Sequence, residues 1–344
     1  MSYKVTIEPS GHTLDVAEGE SVLEAALRQG VILPYSCRGG NCGACGGDVI
    51  SGSVHYPQGR PGGLSEQAEA EGKALLCQAQ PRGDLTVKVR ELTGSKEIPP
   101  RKVPCRVARI EELAHDVRRI YLQTAANQRL QFLAGQYVDI LLKDGRRRGF
   151  SLANAPHDDE LLELHIRRVA GGEFTNFVFE GLKEKALLRL EGPLGQFYLR
   201  EDSARPILLM AGGTGFAPVK GIIEHAFHIG VQRPIHLFWG VRARRDLYLD
   251  RLALAWTRQH ANFQYTPVLS EPLPEDRWEG ASGLVHEALL QQYPQLRMFD
   301  VYVGGPPAMV TAAKTQFVAH GLDPEHFYAD AFEFAAKPKV SAQI

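Results

Sequence analysis

The sequence predicts three successive domains: a small α+β domain, a small antiparallel β-barrel and a doubly wound α/β domain. Three observations carry the prediction. The 344 residues exceed what one domain of roughly 150 residues holds. Gly94, Ser95, Pro99, Pro100 and Pro104 break the chain as a linker does. Beyond Pro206 the apolar residues change from short alternating sets to continuous runs separated by helical stretches, the pattern of buried parallel strands with crossover helices. The expected boundaries are residues 1–93, a linker over 94–102, then 103–202 and 203–344.

Composition narrows the function. Hydrophobic residues at 44% and charged residues at 23% are those of a globular chain, which argues against general disorder. A formal charge of −1 leaves no concentrated basic footprint for nucleic acid. Lys4 is followed by no apolar block, and no run approaches the roughly 18 apolar residues of a membrane span. The expectation is a soluble, cytoplasmic monomer without a membrane span.

In the first domain Tyr3, Val5 and Ile7, then Leu14 and Val16, alternate as a strand pair around a turn at Pro9, Ser10 and Gly11. Ser21 and Glu24 have capping-box spacing; Val22, Leu23, Ala26 and Leu27 recur at helical spacing, and Gly30 can end the helix. After a glycine-rich loop, Leu85, Val87 and Val89 alternate as a late strand. In the second domain residues 118–122, 137–141, 162–169 and 187–190 read as short strands between turns, hence the barrel. In the third, residues 207–210, 235–239, 265–269 and 301–303 are continuous apolar runs, hence a parallel sheet.

The cysteines carry the first chemistry. An odd total of five, four of them patterned, fits a secreted disulfide framework badly. Cys37, Cys42, Cys45 and Cys77 follow C-x4-C-x2-C with a distant fourth, the ligand spacing of a plant-type [2Fe–2S] cluster. Arg38, Gly39, Gly40, Asn41, Gly43 and Ala44 are small or flexible, so the loop can curl and aim backbone N–H groups at the sulfurs. Zinc is the alternative, but it draws on two close Cys or His pairs and here there is one. Cys105 reads as a small buried hydrophobe.

With these residues in hand, the first ninety or so positions resemble plant-type ferredoxin, a β-grasp fold. The remainder is similar to the ferredoxin-NADP reductase superfamily. The order of domains resembles the single-chain reductases of bacterial ring-hydroxylating dioxygenases and multicomponent monooxygenases. Residues 1–13 and the cysteine loop also resemble reductases of CDP-6-deoxy-sugar pathways.

Arg148, Gly149, Phe150 and Ser151 stand where the superfamily carries R-x-Y-S, its flavin signature. A guanidinium suits a cofactor phosphate, an aromatic ring can stack on the isoalloxazine, and a hydroxyl can bond near the flavin N5. Phe150 departs from the family's tyrosine and loses its phenol. Arg148 read alone could equally be a solvated member of the run Arg146, Arg147, Arg148. His165, Ile166 and Arg167 resemble the next flavin-contacting strand. Gly172, Glu173, Phe174 and Thr175 match the G-x-x-S/T turn into a helix, whose N-terminal N–H groups can bind a pyrophosphate; this implies FAD. Gly135-Gln136-Tyr137 and residues 192–195 resemble family turns as well and are read as barrel corners.

Gly212, Gly213, Thr214 and Gly215, with Pro218 in the helix that follows, form a glycine turn after a buried strand, where a dinucleotide can approach the backbone. Gly304, Gly305, Pro306 and Met309 resemble the nicotinamide-side C-G-P-x-x-M, with Gly304 in the cysteine's place. Near the end, Phe332 either covers the flavin as the family's final aromatic does or packs beneath the last strand.

Nicotinamide gives electrons in pairs and a [2Fe–2S] cluster takes one, so a flavin has to stand between them. The chain is therefore expected to be an NADH-dependent iron–sulfur flavoprotein reductase with no catalytic acid, base or nucleophile. Its expected acceptor is a partner metalloprotein, an oxygenase component or a CDP-6-deoxy-sugar dehydratase. NADH is expected over NADPH because Glu271, after the strand over 265–269, would repel a 2′-phosphate, although Arg242, Arg244 and Arg245 could offset it. A non-catalytic Fe–S carrier or scaffold is the rival from another class.

Overall fold

The computed structural model describes residues 2–35, 38–41, 43–89, 91, 98–125 and 128–332. Two strands, β1 (Ser2–Glu8) and β2 (His12–Ala17), form the expected hairpin, with Val5, Ile7, Leu14 and Val16 buried. α1 (Val22–Arg28) starts at the expected capping box: Ser21 Oγ accepts from the Glu24 N–H at 3.2 Å while the Ser21 N–H donates to Glu24 Oε2 at 3.1 Å. Gly30, φ +74°, follows its end. Then come β3 (Gly46–Ser51), β4 (Val54–His55), α2 (Glu66–Ala70), β5 (Lys73–Leu75), β6 (Gln80–Pro81) and β7 (Leu85–Lys88). The main sheet runs β2-β1-β7-β3-β5, with β7 parallel to β1, and α1 packs over it.

The second domain is a six-stranded antiparallel barrel made of β8 (Arg101–Ala114), β9 (Val117–Thr124), β10 (Tyr137–Leu141), β11 (Arg147–Ser151), β12 (Leu162–Arg167) and β13 (Leu187–Leu194). Its order is β11-β10-β13-β8-β9-β12, and a bridge between Leu152 and Leu164 joins the two outer strands. α3 (Glu173–Glu180) lies between β12 and β13 in sequence. Pro104, read from sequence as a linker residue, lies within β8 opposite Arg189.

The third domain has an all-parallel sheet with order β17-β16-β15-β14-β18-β19. In chain order its elements are β14 (Ile207–Gly212), α4 (Phe216–His228), β15 (Ile235–Val241), α5 (Asp250–Gln259), β16 (Phe263–Leu269), β17 (Ala281–Ser282), α6 (Val285–Gln292), β18 (Asp300–Gly305), α7 (Pro307–Ala319) and β19 (Phe327–Ala331). Side chains of β14 alternate between two cores. Ile207, Leu209 and Ala211 meet α4 and α5, while Leu208 and Met210 meet α6 and α7, which is why the strand reads as one unbroken apolar run. Among the described residues no helix is long and apolar enough to cross a membrane.

Candidate functional site

Strand order reverses beside β14, and two glycine turns meet there. After β14 the chain turns through Gly213, φ +55°, whose carbonyl accepts a hydrogen bond from Trp239 Nε1 at 2.9 Å. Phe216, at the start of α4, stacks on Trp239 with centroids 4.0 Å apart. The turn is thus pinned by an aromatic pair in the core below it. Opposite, β18 ends at Gly305, φ +147°, and Pro306 caps α7. A Cβ on Gly215 would lie 2.0 Å from the Gly304 oxygen, and one on Gly212 would lie 2.6 Å from Met309 Sδ. Bare backbone is what lets these turns approach. Thr214 is half-buried and Pro218 buried in the first turn of α4. The result is a backbone cradle at the carboxyl ends of β14 and β18, beside a helix N-terminus, with the form a dinucleotide pyrophosphate requires. A Cβ on Gly304 would stand 2.9 Å from the Gly215 carbonyl oxygen, so the two turns meet backbone to backbone here as well.

The barrel contributes from β11 and β12. Along β12, Leu162, Leu164 and Ile166 enter the barrel core, while Glu163, His165 and Arg167 project from the other face, as period-two alternation dictates. Arg167 reaches the glycine turn, with Nη1 2.7 Å from where a Gly213 Cβ would be, and its Nε donates to Asp116 Oδ2 at 2.8 Å. His165 does not reach it. It is buried between Glu163 (2.8 Å) and the Tyr248 hydroxyl (3.1 Å), and burial lowers its pKa even with Glu163 beside it. Glu163 also meets Lys220 of α4 at 3.1 Å, and Lys220 Nζ donates to Glu224 at 2.9 Å and to the Ala153 carbonyl at 3.2 Å. Burial alone would raise the Glu163 carboxyl, but the His165 hydrogen bond and the Lys220 ammonium hold it down at about 2. This buried network fixes the helix that follows the glycine turn against the barrel.

On β11, Ser151 is buried and donates to Asp330 Oδ2 at 2.8 Å. Two residues beyond Asp330, the Phe332 N–H donates to the Gly305 oxygen at 2.9 Å, so Ser151, Phe332 and the nicotinamide-side turn converge. Arg148 and Phe150 alternate to the other side of the strand. The Phe150 ring lies 5.5 Å from Phe174 of α3, and Arg148, half-buried, donates to the Arg147 carbonyl. Gly172 caps α3, and Thr175 Oγ1 accepts from the Val169 N–H at 3.2 Å, which fixes the entry into the helix. Arg146 meets Glu173 at 2.7 Å and draws β11 to that helix start.

In the first domain Cys45 and Cys77 are buried, 2% and 6% exposed, at the ends of the paired strands β3 and β5, and the Leu76 N–H donates to the Cys45 oxygen at 3.1 Å. Gly40, φ +86°, and Gly43, φ +73°, turn the chain just ahead of Cys45, and a Cβ on Gly63 would strike the Asn41 oxygen at 2.6 Å. Buried thiols beside a tightly curled glycine loop fit thiolate ligation of a cluster. Cys37 and Cys42 lie outside the described residues.

Sequence reading missed the residues that join the domains. Tyr137, passed over as part of a barrel corner, pairs with Ser151; a Cβ on Gly195 would lie 2.9 Å from its ring, and one on Gly149 3.5 Å. Its burial, with glycines on two sides, is invisible to local patterning. Tyr35 and Arg38, from the cysteine loop, touch the barrel beside it: Tyr35 Oη accepts from the Gly195 N–H at 3.1 Å, and Arg38 Nη1 lies 3.5 Å from Asp139 Oδ2.

Comparison with known proteins agrees with each domain. Residues 5–82 match a 2Fe-2S iron-sulfur cluster binding domain, 104–198 an oxidoreductase FAD-binding domain, and 209–315 an oxidoreductase NAD-binding domain. The chain is 39% identical over 332 residues to the CDP-6-deoxy-L-threo-D-glycero-4-hexulose-3-dehydrase reductase of Yersinia pestis, covering 96% of this chain and 99% of that protein. It is 34% identical over 330 residues to the naphthalene 1,2-dioxygenase system ferredoxin–NAD(P)(+) reductase component of Pseudomonas putida, covering 96% and 98%. A crystal structure of an Amycolatopsis cytochrome P450 reductase superposes with a TM-score of 0.82 at 36% identity, covering 97% of this chain and all of that one. With its domains in this order and relatives matched over nearly their whole length, the chain belongs to the family of iron–sulfur flavoprotein reductases that carry electrons from NAD(P)H through FAD to a [2Fe–2S] cluster.

Proposed function

We propose that the final acceptor is a separate metalloprotein, an oxygenase component, and that NADH is the preferred donor. The observation that supports electron transfer through this chain most directly is the convergence of the three cofactor regions: the cysteine loop meets the barrel at Gly195 and Asp139, and Ser151 meets the third domain at Asp330. When bound, the nicotinamide, flavin and cluster supply the redox chemistry, taking electrons in a pair and releasing them singly. The chain's residues hold and orient. Cys37, Cys42, Cys45 and Cys77 would ligate the cluster. Arg148 would meet an FAD phosphate with the α3 start at Gly172 and Thr175, Phe150 would stack on the ring, and Ser151 would bond at its polar edge. His165 and Ile166 would serve the flavin through the strand backbone, since their side chains turn elsewhere, whereas Arg167 would reach toward the pyrophosphate at Gly213. Residues 212–215 with Pro218, and Gly305 with Pro306, would cradle NADH, with Phe332 between nicotinamide and flavin.

A second reading, a dehydrase as acceptor, is favoured by the 39% identity to the Yersinia reductase against 33–37% for the oxygenase and demethylase relatives. Chemical cross-linking in the native extract during NADH turnover, followed by identification of the captured protein, decides between them. An oxygenase component is the expected product, and a sugar dehydrase in its place overturns the first reading.

Coenzyme preference has a local test. Exposed Glu271 follows β16, and its N–H donates to the Arg242 oxygen at 2.9 Å, so both side chains border the same edge. Arg244 is drawn aside by Asp276, whose carbonyl oxygen accepts from its Nη1 at 3.4 Å. A 2′-phosphate placed there meets the Glu271 carboxylate, and like charges repel. NADH is expected to show the higher kcat/KM, and Glu271→Gln to raise that for NADPH severalfold. Equal or better NADPH kinetics in the unaltered protein would refute this.

A further inference from the structure

We propose that Arg38 and Tyr35 form a latch that holds the cysteine loop against the flavin strand, and that Arg38 is a positioning residue for transfer between flavin and cluster. The two residues stand either side of Ser36 and Cys37 in sequence, next to the first expected cluster ligand. Arg38 adopts a left-handed backbone, φ +58°, unusual for a long side chain. Its surroundings sustain that conformation from two sides. Gln78 Nε2, next in sequence to Cys77, donates to the Arg38 oxygen at 2.7 Å, and the guanidinium, 17% exposed, lies 3.5 Å from Asp139. The Tyr35 ring is 4% exposed, and its hydroxyl oxygen satisfies the Gly195 N–H. A strained cation tied to both ends of the cysteine set is poorly explained by solvation or by packing within its own domain.

What it meets is equally specific. Asp139 sits mid-way along β10, opposite Gly149 of the R-G-F-S strand, and a Cβ on Gly149 would lie 3.3 Å from Asp139 Oδ1. Burial raises the Asp139 carboxyl, with Arg38 and then Arg147 opposing. Arg147, 3.8 Å from Asp139, is itself engaged by Glu191 at 2.7 Å. Arg38 is thus the cation from the first domain that this carboxylate faces. Half-buried charges are worth more in coupling and orientation than surface pairs, because solvent screens them less.

The inference rests on the electron path of the family: NADH reduces FAD, and one electron at a time passes from reduced FAD to the oxidised cluster. Stopped-flow mixing of the full chain with NADH reads that transfer as bleaching of the cluster absorbance, and a dye reads flavin reduction separately. Arg38→Gln and Asp139→Asn are each expected to slow cluster reduction about tenfold or more while leaving dye reduction as it was. The double variant should be no slower than either single one, since both break one contact. Arg38→Lys should restore part of the rate. Tyr35→Phe, which removes one oxygen, should slow transfer in the same sense. Small-angle X-ray scattering of the same variants should give a larger radius of gyration, a readout independent of turnover. Unchanged bleaching and unchanged scattering in Arg38→Gln, or additive losses in the double variant, overturn the latch. Failure of NADH to bleach the cluster in the unaltered protein would instead overturn the electron path.

Discussion

Cys77→Ala is expected to leave a folded protein that still reduces dyes with NADH but no longer reduces a one-electron protein acceptor. Cys77 is buried in the first-domain core, and the glycine turns that would take the coenzyme lie in the third, after β14 and β18. Only one methyl-sized group is replaced, so the apolar packing around Leu75 and Leu76 should survive. The expected ligand set, however, loses one of its four thiolates, and metal affinity falls with it. Iron content, the visible spectrum and two steady-state assays check this. Equal loss of dye and protein-acceptor reduction in a folded variant would mean that the two domains do not act separately.

The largest stability effect is expected at the junction of β12 and α4. Lys220→Met should destabilise the barrel and nucleotide-binding domains by about 3–5 kcal/mol, because Glu163 and Glu224 both lose their ammonium partner and Glu163 keeps only His165 at 2.8 Å and Arg119 at 3.6 Å. The ammonium is 6% exposed and the Glu163 carboxylate 7%. Glu163→Gln gives the pH signature. A carboxyl held at about 2 against an ordinary 4.5 contributes about 3 kcal/mol. That stabilisation is complete above pH 4.5 and fades as pH falls toward 2. The penalty of Glu163→Gln in denaturant titrations should therefore be largest near pH 7 and shrink below pH 4.5. Glu224 does not blur this window. Burial raises its carboxyl, with Lys220 opposing, so it is mostly protonated in both states at the acid end. A penalty that is constant with pH, or below about 1 kcal/mol, would mean that the pair is effectively solvated.

Features written in neighbouring residues were legible from sequence. The Ser21 and Glu24 box, the cysteine spacing, the unbroken apolar run of β14 and the glycine turns after it all lie within a few positions of one another. What stayed hidden depends on distant partners. No local pattern links Glu163 to Lys220, which lies 57 residues away, and Asp330 meets Ser151 across 179. β3 was missed because Gly46, Gly47, Asp48 and Ser51 leave it Val49 and Ile50 as apolar signals, and the sheet around it supplies the rest. His165 was grouped with Arg167 by resemblance. Strand alternation does put both on one face, yet Glu163 and Tyr248 capture the imidazole before it reaches the glycine turn.

The closeness of Gly215 and Gly304 bears on how the protein meets oxidants and alkylating agents. Where the family has a cysteine beside the nicotinamide, this chain has no thiol to modify. Cys105, the cysteine of the barrel, is buried in β8, and desolvation pushes its thiol up to about 12. At neutral pH roughly one in 10⁵ such groups is the reactive thiolate. Sulfur chemistry at cysteine is therefore confined to the first domain, and the coenzyme and flavin regions carry none. Damage by peroxide or iodoacetamide should take the iron–sulfur end of the chain first and leave a protein that still consumes NADH, with its electrons diverted to whatever small oxidant can reach the flavin.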